Sequence, residues 1–341
     1  MAGDADEGLR GILIEQVDRL LSDAAGPAVL RAAERGEWPE ALWAEAEALG
    51  LPLALAPEAM GGAGLGWEDA VAVWQVLGRH GAPLPLAHGM AAAALLGLAD
   101  IEPPAGFIAL ALPNEPVAWG RRAGHVAAVD GAGQVALHDG AGVEWRRSEG
   151  AISREPADRA ASFGAPLRTG RLPGAEAARN AGALLHAALI AGALEAALDM
   201  AVDYANTRKQ FGRPIGAFQA VQQQLAVCAS EAAAAAVAAA AAGRAADRRG
   251  LDDAGFEIGS AKVVAGEAAG TGAAIAHQVF AAIGFTDDHP LHLFTRRMWS
   301  WRDACGAERV WARRIGEAAL ARGGDALWPD LTARNEGRGN A

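Results

Sequence analysis

The sequence predicts a mainly α-helical protein with a small β region set between two helical parts. Three observations carry this. Apolar residues recur at three- and four-residue steps up to about residue 100 and again from about residue 175. Between these parts, short apolar runs alternate with glycine-rich turns. The last part holds four long helical stretches in succession, which implies a bundle. The expected division is a helical domain over 1–100, a reduced middle β domain over 101–172, a four-helix bundle over 173–325, and a disordered tail over 326–341.

Each element has a local reason. Leu9, Ile12, Ile14, Val17, Leu20 and Leu21 make an amphipathic helix over 7–24. A second helix is expected over 38–49, ended by Gly50. The stretch "EAMGGAGLGWEDA" (58–70) reads as a glycine-rich turn, and Glu68 and Asp69 suit the positive end of a helix running to Gly78. "GAPLPL" (81–86) breaks that helix, and a short apolar one is expected over 88–98. Strands are expected over 106–113, 125–130, 134–139 and 142–147, with "DGAG" (130–133) as a hairpin turn. The bundle helices are expected over 176–207, 214–243, 252–283 and 304–322. Leu194, Leu198 and Val202 stand at four-residue steps among alanines, a pattern that allows helices to approach closely.

Composition removes several function classes. A net charge of −11 argues against general affinity for nucleic acid or anionic lipid, although 296–302 is locally basic. Two cysteines, Cys228 and Cys305, cannot form a disulfide scaffold and suit a reducing cytoplasm. Cys228 reads as a small buried filler. No Cys/His group has metal-ligand spacing. The acidic start "MAGDADEGLR" lacks a secretory pattern, and the alanine-rich run 231–249 reads as a helix too short and too weakly hydrophobic to span a bilayer. No membrane or nucleic-acid partner is expected.

The most informative stretch is "NTRKQFGRPIGAFQAVQQQLA" (206–226), which interrupts two good helices. Gly212 allows a sharp turn after Phe211, and Pro214 suits the start of the next helix. A guanidinium fixed at such a break, here Arg208, suits a pyrophosphate because its fork donates two parallel hydrogen bonds. The plainer alternative is a surface arginine beside a helix C-terminus.

With three further stretches, this break makes the chain resemble the acyl-CoA dehydrogenase family across nearly its whole length. "LPLALAPEAMGGAGLGWEDAVAVWQVLGRHGAPLPL" (51–86) is similar to the family's N-terminal helical domain, and "AHQVFAAIGFTDDHPLHLFTRR" (276–297) to its Gln-x-x-Gly-Gly-x-Gly segment. "LPNEPVA" (112–118) is faintly similar to a Thr-Glu-Pro segment of the middle domain. The resemblance implies that Arg208, Phe211 and Gln219 belong to an FAD site in a dimer interface. It also implies that Gln278, Ala281, Ala282 and Gly284 pass the adenosine end of the FAD from the neighbouring subunit. The family's double glycine is Ala281-Ala282 here.

The family's reaction, α,β-dehydrogenation of an acyl-CoA thioester to the trans-2-enoyl form, needs a carboxylate base with a raised pKa. The resemblance places it at Cys305, before Gly306, or in other members near Gly182, where "EAARNAGALLHAAL" offers no acid. Three explanations follow. The chain is a half-site subunit whose partner supplies the Glu, as in heteromers of steroid side-chain degradation. Or the base has moved, with Glu308 as a candidate and Asp303, Asp287 and Asp288 nearby. Or the scaffold adds water to an enoyl thioester. A non-enzymatic reading stands beside these: a scaffold that stabilises a catalytic acyl-CoA dehydrogenase chain without binding FAD. A homo- or hetero-oligomer and an electron-transfer flavoprotein as acceptor are implied by the resemblance alone.

Overall fold

The structure, a computed structural model, describes residues 2–148 and 151–334, with side chains from residue 10 onward. The N-terminal part holds α1 (Ala2–Ala24), α2 (Pro27–Glu34), α3 (Glu40–Ala48), α4 (Trp67–Arg79) and α5 (Leu86–Leu98). The expected helices are present, and α2 is an addition. It buries only Leu30 and Ala33, too short a pattern to read as a helix. Glu68 and Asp69 stand in the first turn of α4, as expected. That turn is also capped from far away: the Asp247 carboxylate accepts from the backbone N–H groups of Trp67 (2.5 Å) and Glu68 (2.9 Å).

The middle part makes two sheets. β1 (Ile108–Ala111), β3 (His125–Val129), β4 (Gln134–Asp139) and β7 (Arg168–Arg171) form one in the order β1-β3-β4-β7, parallel only between β1 and β3. β2 (Val117–Ala118), β6 (Ala157–Ser162) and β5 (Glu144–Arg147) form the other, all antiparallel. The "DGAG" turn joins β3 to β4, with Gly133 at φ 78°. β2, β6 and β7 were not expected, because "VA", "ADRAAS" and "RTGR" carry no apolar alternation.

The C-terminal part holds α6 (Ala177–Thr207), a short hairpin of β8 (Lys209–Gln210) and β9 (Arg213–Pro214), α7 (Gln219–Asp253), α8 (Gly255–Phe280), α9 (Leu291–Asp303), α10 (Glu308–Arg322) and α11 (Gly324–Ala333). The four expected bundle helices are α6, α7, α8 and α10. Three differences need correction. α9 was not expected, because its buried face mixes Thr295 and Arg297 with the apolar residues and blurs the periodicity. Pro214 enters a hairpin and a 3-10 turn, so α7 starts only at Gln219. The segment expected to be a disordered tail is helical through Ala333. It is held by polar ties that hydrophobic periodicity does not reveal: Arg322 pairs with Asp330 (2.6 Å) and Arg334 with Glu257 (3.3 Å). The remainder of that segment lies outside the described residues.

α6 lies at the centre, packed on α4, α7, α8 and α9. Where α4 and α6 cross, Gly78 faces the Leu189 carbonyl and Gly192 faces the Gln75 carbonyl, each with no room for a Cβ. The two backbones therefore touch directly. By length and composition, three helical segments could cross a membrane: Ala177–Thr207, Gln219–Asp253 and Gly255–Phe285. The run 231–249, read as too short, belongs to the 35-residue α7. In α6, 89% of the most apolar window is buried inside the protein, so its apolarity serves the core.

Candidate active site

A cavity of about 150 Å³ lies between the β region, α5, α6 and α9. Gly182, Leu185, His186 and Leu189 on one face of α6 form one wall. Cys305, in the turn from α9 to α10, forms part of another. The two walls touch: a Cβ on Gly182 would stand 2.5 Å from Cys305 Sγ and 3.0 Å from Leu112 Cδ1. The two positions at which the sequence resemblance places a base therefore occupy one spot, and neither carries a carboxylate.

The Cys305 turn is held from below and behind. Cys305 takes φ 56° and Gly306 φ 100°. Trp311 Nε1 donates to the Cys305 carbonyl (3.1 Å). Lys262, wholly buried on α8, donates through Nζ to the carbonyls of Trp301 (3.0 Å) and Arg302 (2.7 Å) at the end of α9. Burial drives the Lys262 pKa down to about 8, against the attraction of Cys305, Glu308 and other nearby groups. Burial likewise pushes the Cys305 thiol up to about 12, helped by Glu115 and opposed by Lys262 and Arg179. Cys305 is therefore a neutral thiol near pH 7 and no substitute for a carboxylate base.

The cavity holds other polar groups that sequence reasoning missed. His186 lies one turn after Gly182, and its Nδ1 donates to the Gly182 carbonyl (2.7 Å), which leaves Nε2 as an acceptor. Burial lowers its pKa well below the usual range, and lowers that of His88 to about 4. Both rings are neutral and meet edge to face, 5.5 Å between centroids. Glu155 accepts from Trp301 Nε1 (3.0 Å) and stands 3.5 Å from Arg297 Nε. Burial raises its pKa in spite of Arg297 and the hydrogen bonds from Ser153 and Trp301. It comes from "AISREPADR", a segment with no periodicity to mark it.

The acids proposed as a moved base lie elsewhere. Glu308 is absent from the cavity wall and is bound by Arg302, whose hydrogen bond pulls its pKa down to about 2. That is opposite to what a base needs. Asp287, Asp288 and Asp303 are exposed.

The expected cofactor residues gather at the far end of α6. Arg208 is its C-cap, exposed, and among the described residues its guanidinium has no hydrogen-bond or ion-pair partner. Phe211 is 90% exposed at φ 51°, and Gly212 takes φ 79°. Gln219 opens α7 and is exposed, as is Gln278 on α8. Tyr204, one turn before Arg208, stacks on Phe280 (4.4 Å), which joins this corner to the 278–284 segment. Ala281 holds φ 54° and ψ −140°, a shape natural to glycine. Ala282 is exposed, and Gly284 is buried against Phe280, His277 and Leu291, where a side chain has no space. Along α6, Arg208 and Gly182 stand roughly 39 Å apart, at about 1.5 Å per residue.

Comparison with known proteins accords with this arrangement. Residues 11–100 match the family model for the acyl-CoA dehydrogenase N-terminal domain, and residues 174–320 that for the C-terminal domain. The chain is 34% identical to acyl-CoA dehydrogenase IpdE2 of Mycobacterium tuberculosis, over 90% of this chain and 96% of the relative. The chain belongs to the acyl-CoA dehydrogenase family. Among solved acyl-CoA dehydrogenase-like folds, a chain of the ChsE4-ChsE5 complex from M. tuberculosis is similar, with a TM-score of 0.80 and 25% identity over 92% of this chain and 98% of that one. A chain of the Tcur3481-Tcur3483 steroid ACAD G363A variant is similar too, with a TM-score of 0.79 and 26% identity over 95% and 99%.

Acyl-CoA dehydrogenases typically bind FAD. The residues here suit that group. An arginine and two glutamines, all exposed, stand at one corner, and Ala281 keeps the glycine-type backbone of a close approach. Roughly 39 Å of helix separates this corner from Gly182, and about 29 Å separates it from Leu189, the nearest cavity-lining residue of α6.

Proposed function

We propose that this chain is one subunit of a heteromeric FAD-dependent acyl-CoA dehydrogenase, in which it grips the cofactor of a partner's catalytic cavity. The observation that carries this is the contact of Gly182 with Cys305: both base positions are spent on neutral packing. The Arg208 corner, by contrast, keeps its polar side chains exposed.

In this reading Arg208, Gln219, Gln278 and Ala281 would hold the nucleotide: the Arg208 fork suits a pyrophosphate, the two glutamines can hydrogen-bond, and the glycine-type backbone at Ala281 would allow close approach. Bound there, FAD would supply hydride-accepting chemistry for the β-carbon of an acyl chain. The proton from the α-carbon would go to a carboxylate of the partner subunit, because this chain has none at either base position. An electron-transfer flavoprotein is the expected electron acceptor. The similar chains come from complexes of two named components, one called a steroid ACAD, which supports a heteromer acting on a steroid-derived acyl-CoA. The two free cysteines and the net charge of −11 suit a cytoplasmic setting.

The test is co-purification with a candidate partner that carries an intact Glu-Gly. The heteromer is expected to hold flavin and to dehydrogenate an acyl-CoA, and this chain alone to do neither efficiently. Robust turnover by the homomer would reject the proposal.

A further inference from the structure

Four charged side chains meet beside the cavity. Arg296 Nη2 donates to both carboxylate oxygens of Glu34, each at 2.8 Å. Arg297, 1% exposed, reaches the same Glu34 through Nη1 (3.3 Å) and donates to the Leu293 carbonyl (2.8 Å). Its Nε is buried and has no hydrogen-bond partner among the described residues. Glu155 completes the group, with Oε1 standing 3.5 Å from that Nε and Oε2 accepting from Trp301 Nε1 (3.0 Å).

The two carboxylates are held unequally. Glu34 is 8% exposed and doubly bonded to Arg296, whereas Glu155 is 28% exposed and makes no hydrogen bond to an arginine. A buried guanidinium N–H without an acceptor is costly, and it is aimed at a carboxylate that stops short. Arg297, Trp301 and Glu155 all line the cavity. Glu155 also lines an adjoining groove that carries Arg35, Arg121, Arg122, Arg147 and Arg154.

We propose that Arg297 Nε and Trp301 Nε1 form a carboxylate subsite of this cavity, filled in the free chain by its own Glu155. The ligand is an acyl thioester whose acyl chain ends in a carboxylate. The two N–H donors match the two oxygens of one carboxylate, and Glu155 displays the arrangement. Exchanging one carboxylate for another leaves two arginines against two carboxylates, so no uncompensated charge is buried. The displaced Glu155 turns into the adjoining groove, where arginines outnumber acids. This inference goes beyond the proposed function, which gives this chain's own cavity no ligand.

The test is calorimetric titration of the full chain with glutaryl-CoA and with pentanoyl-CoA, which has the same acyl length and no terminal carboxylate. Glu155→Ala removes the internal competitor. It is expected to tighten glutaryl-CoA at least tenfold and to change pentanoyl-CoA less than threefold. Glu155→Gln, which keeps the side-chain size, is expected to act in the same direction. Adding Trp301→Phe to Glu155→Ala is expected to weaken glutaryl-CoA about fivefold and leave pentanoyl-CoA unchanged. Equal changes for both thioesters, or none, overturn the subsite alone. If neither thioester binds any variant, the subsite is overturned too. Flavin retention at Arg208 reports separately on the heteromer reading.

Discussion

At its Gly182 end, α6 faces a cavity in which neither family base position carries an acid: a thiol near pKa 12 and two uncharged histidines stand there, with Glu115 also on the wall and Arg296 and Arg297 matched by Glu34. At its Arg208 end, the same helix meets solvent with a guanidinium that has no partner among the described residues, beside two exposed glutamines. The Gly182 end lacks the family's acid, and the Arg208 end keeps its polar side chains exposed. On the proposed reading, an enzyme that worked alone would need both ends active, one to hold nucleotide and the other to do chemistry. A chain with only the first intact makes sense beside a partner that has the second.

The sharpest way to break this comparison is Arg208→Ala. Loss of charged hydrogen bonds worth about 1.5–3 kcal/mol should weaken flavin binding by the heteromer roughly ten- to a hundredfold. Unchanged flavin content, read by absorbance after gel filtration, would leave the open end without a role.

Of similar size is a pH effect at Lys262. Burial holds its folded pKa at about 8 against an ordinary 10.5, so the unfolded chain binds more protons between those values. The cost of burying this ammonium is full at neutral pH and fades as pH rises from about 8 to 10.5. The stability of the native chain relative to Lys262→Met should therefore grow by about 3 kcal/mol across that window, read by urea denaturation. A flat difference would show that Lys262 is not held as described.

Gly182→Ala comes third. Its methyl would press on Cys305 Sγ, at an expected cost of about 1 kcal/mol. Thermal unfolding should register this while flavin retention stays unchanged. A change in flavin content instead would join the two ends that the geometry separates. The smallest effect is expected from Glu308→Gln, which removes a partly exposed pair with Arg302 and should cost under about 1 kcal/mol. Dehydrogenation by the heteromer should survive it, and loss of turnover would restore Glu308 as a catalytic group.

How far the sequence could be read follows from the kind of signal each part carries. The long helices announced themselves through three- and four-residue periodicity, and the Arg208 break through Gly212 and a run of helix-ending residues. Strands β6 and β7 did not, because their residues are mostly polar and their pairing is set by neighbours distant in the chain. Helix α11 is fixed by ion pairs, which leave no periodic trace. In the cavity, counting from a motif located Cys305 and Gly182, but not that they touch. Glu155, His88 and His186 come from three separate elements, and only folding brings them to one wall.

The direct backbone contact of α4 with α6 has a further consequence for anyone recombining members of this family. Gly78 and Gly192 form a matched lock, each leaving space for the other helix's carbonyls. A chimera that took its first hundred residues from one parent and its bundle from another would seat only if the first parent carried glycine at 78 and the second at 192. A single alanine on either side would hold the halves apart along the whole length of the joint.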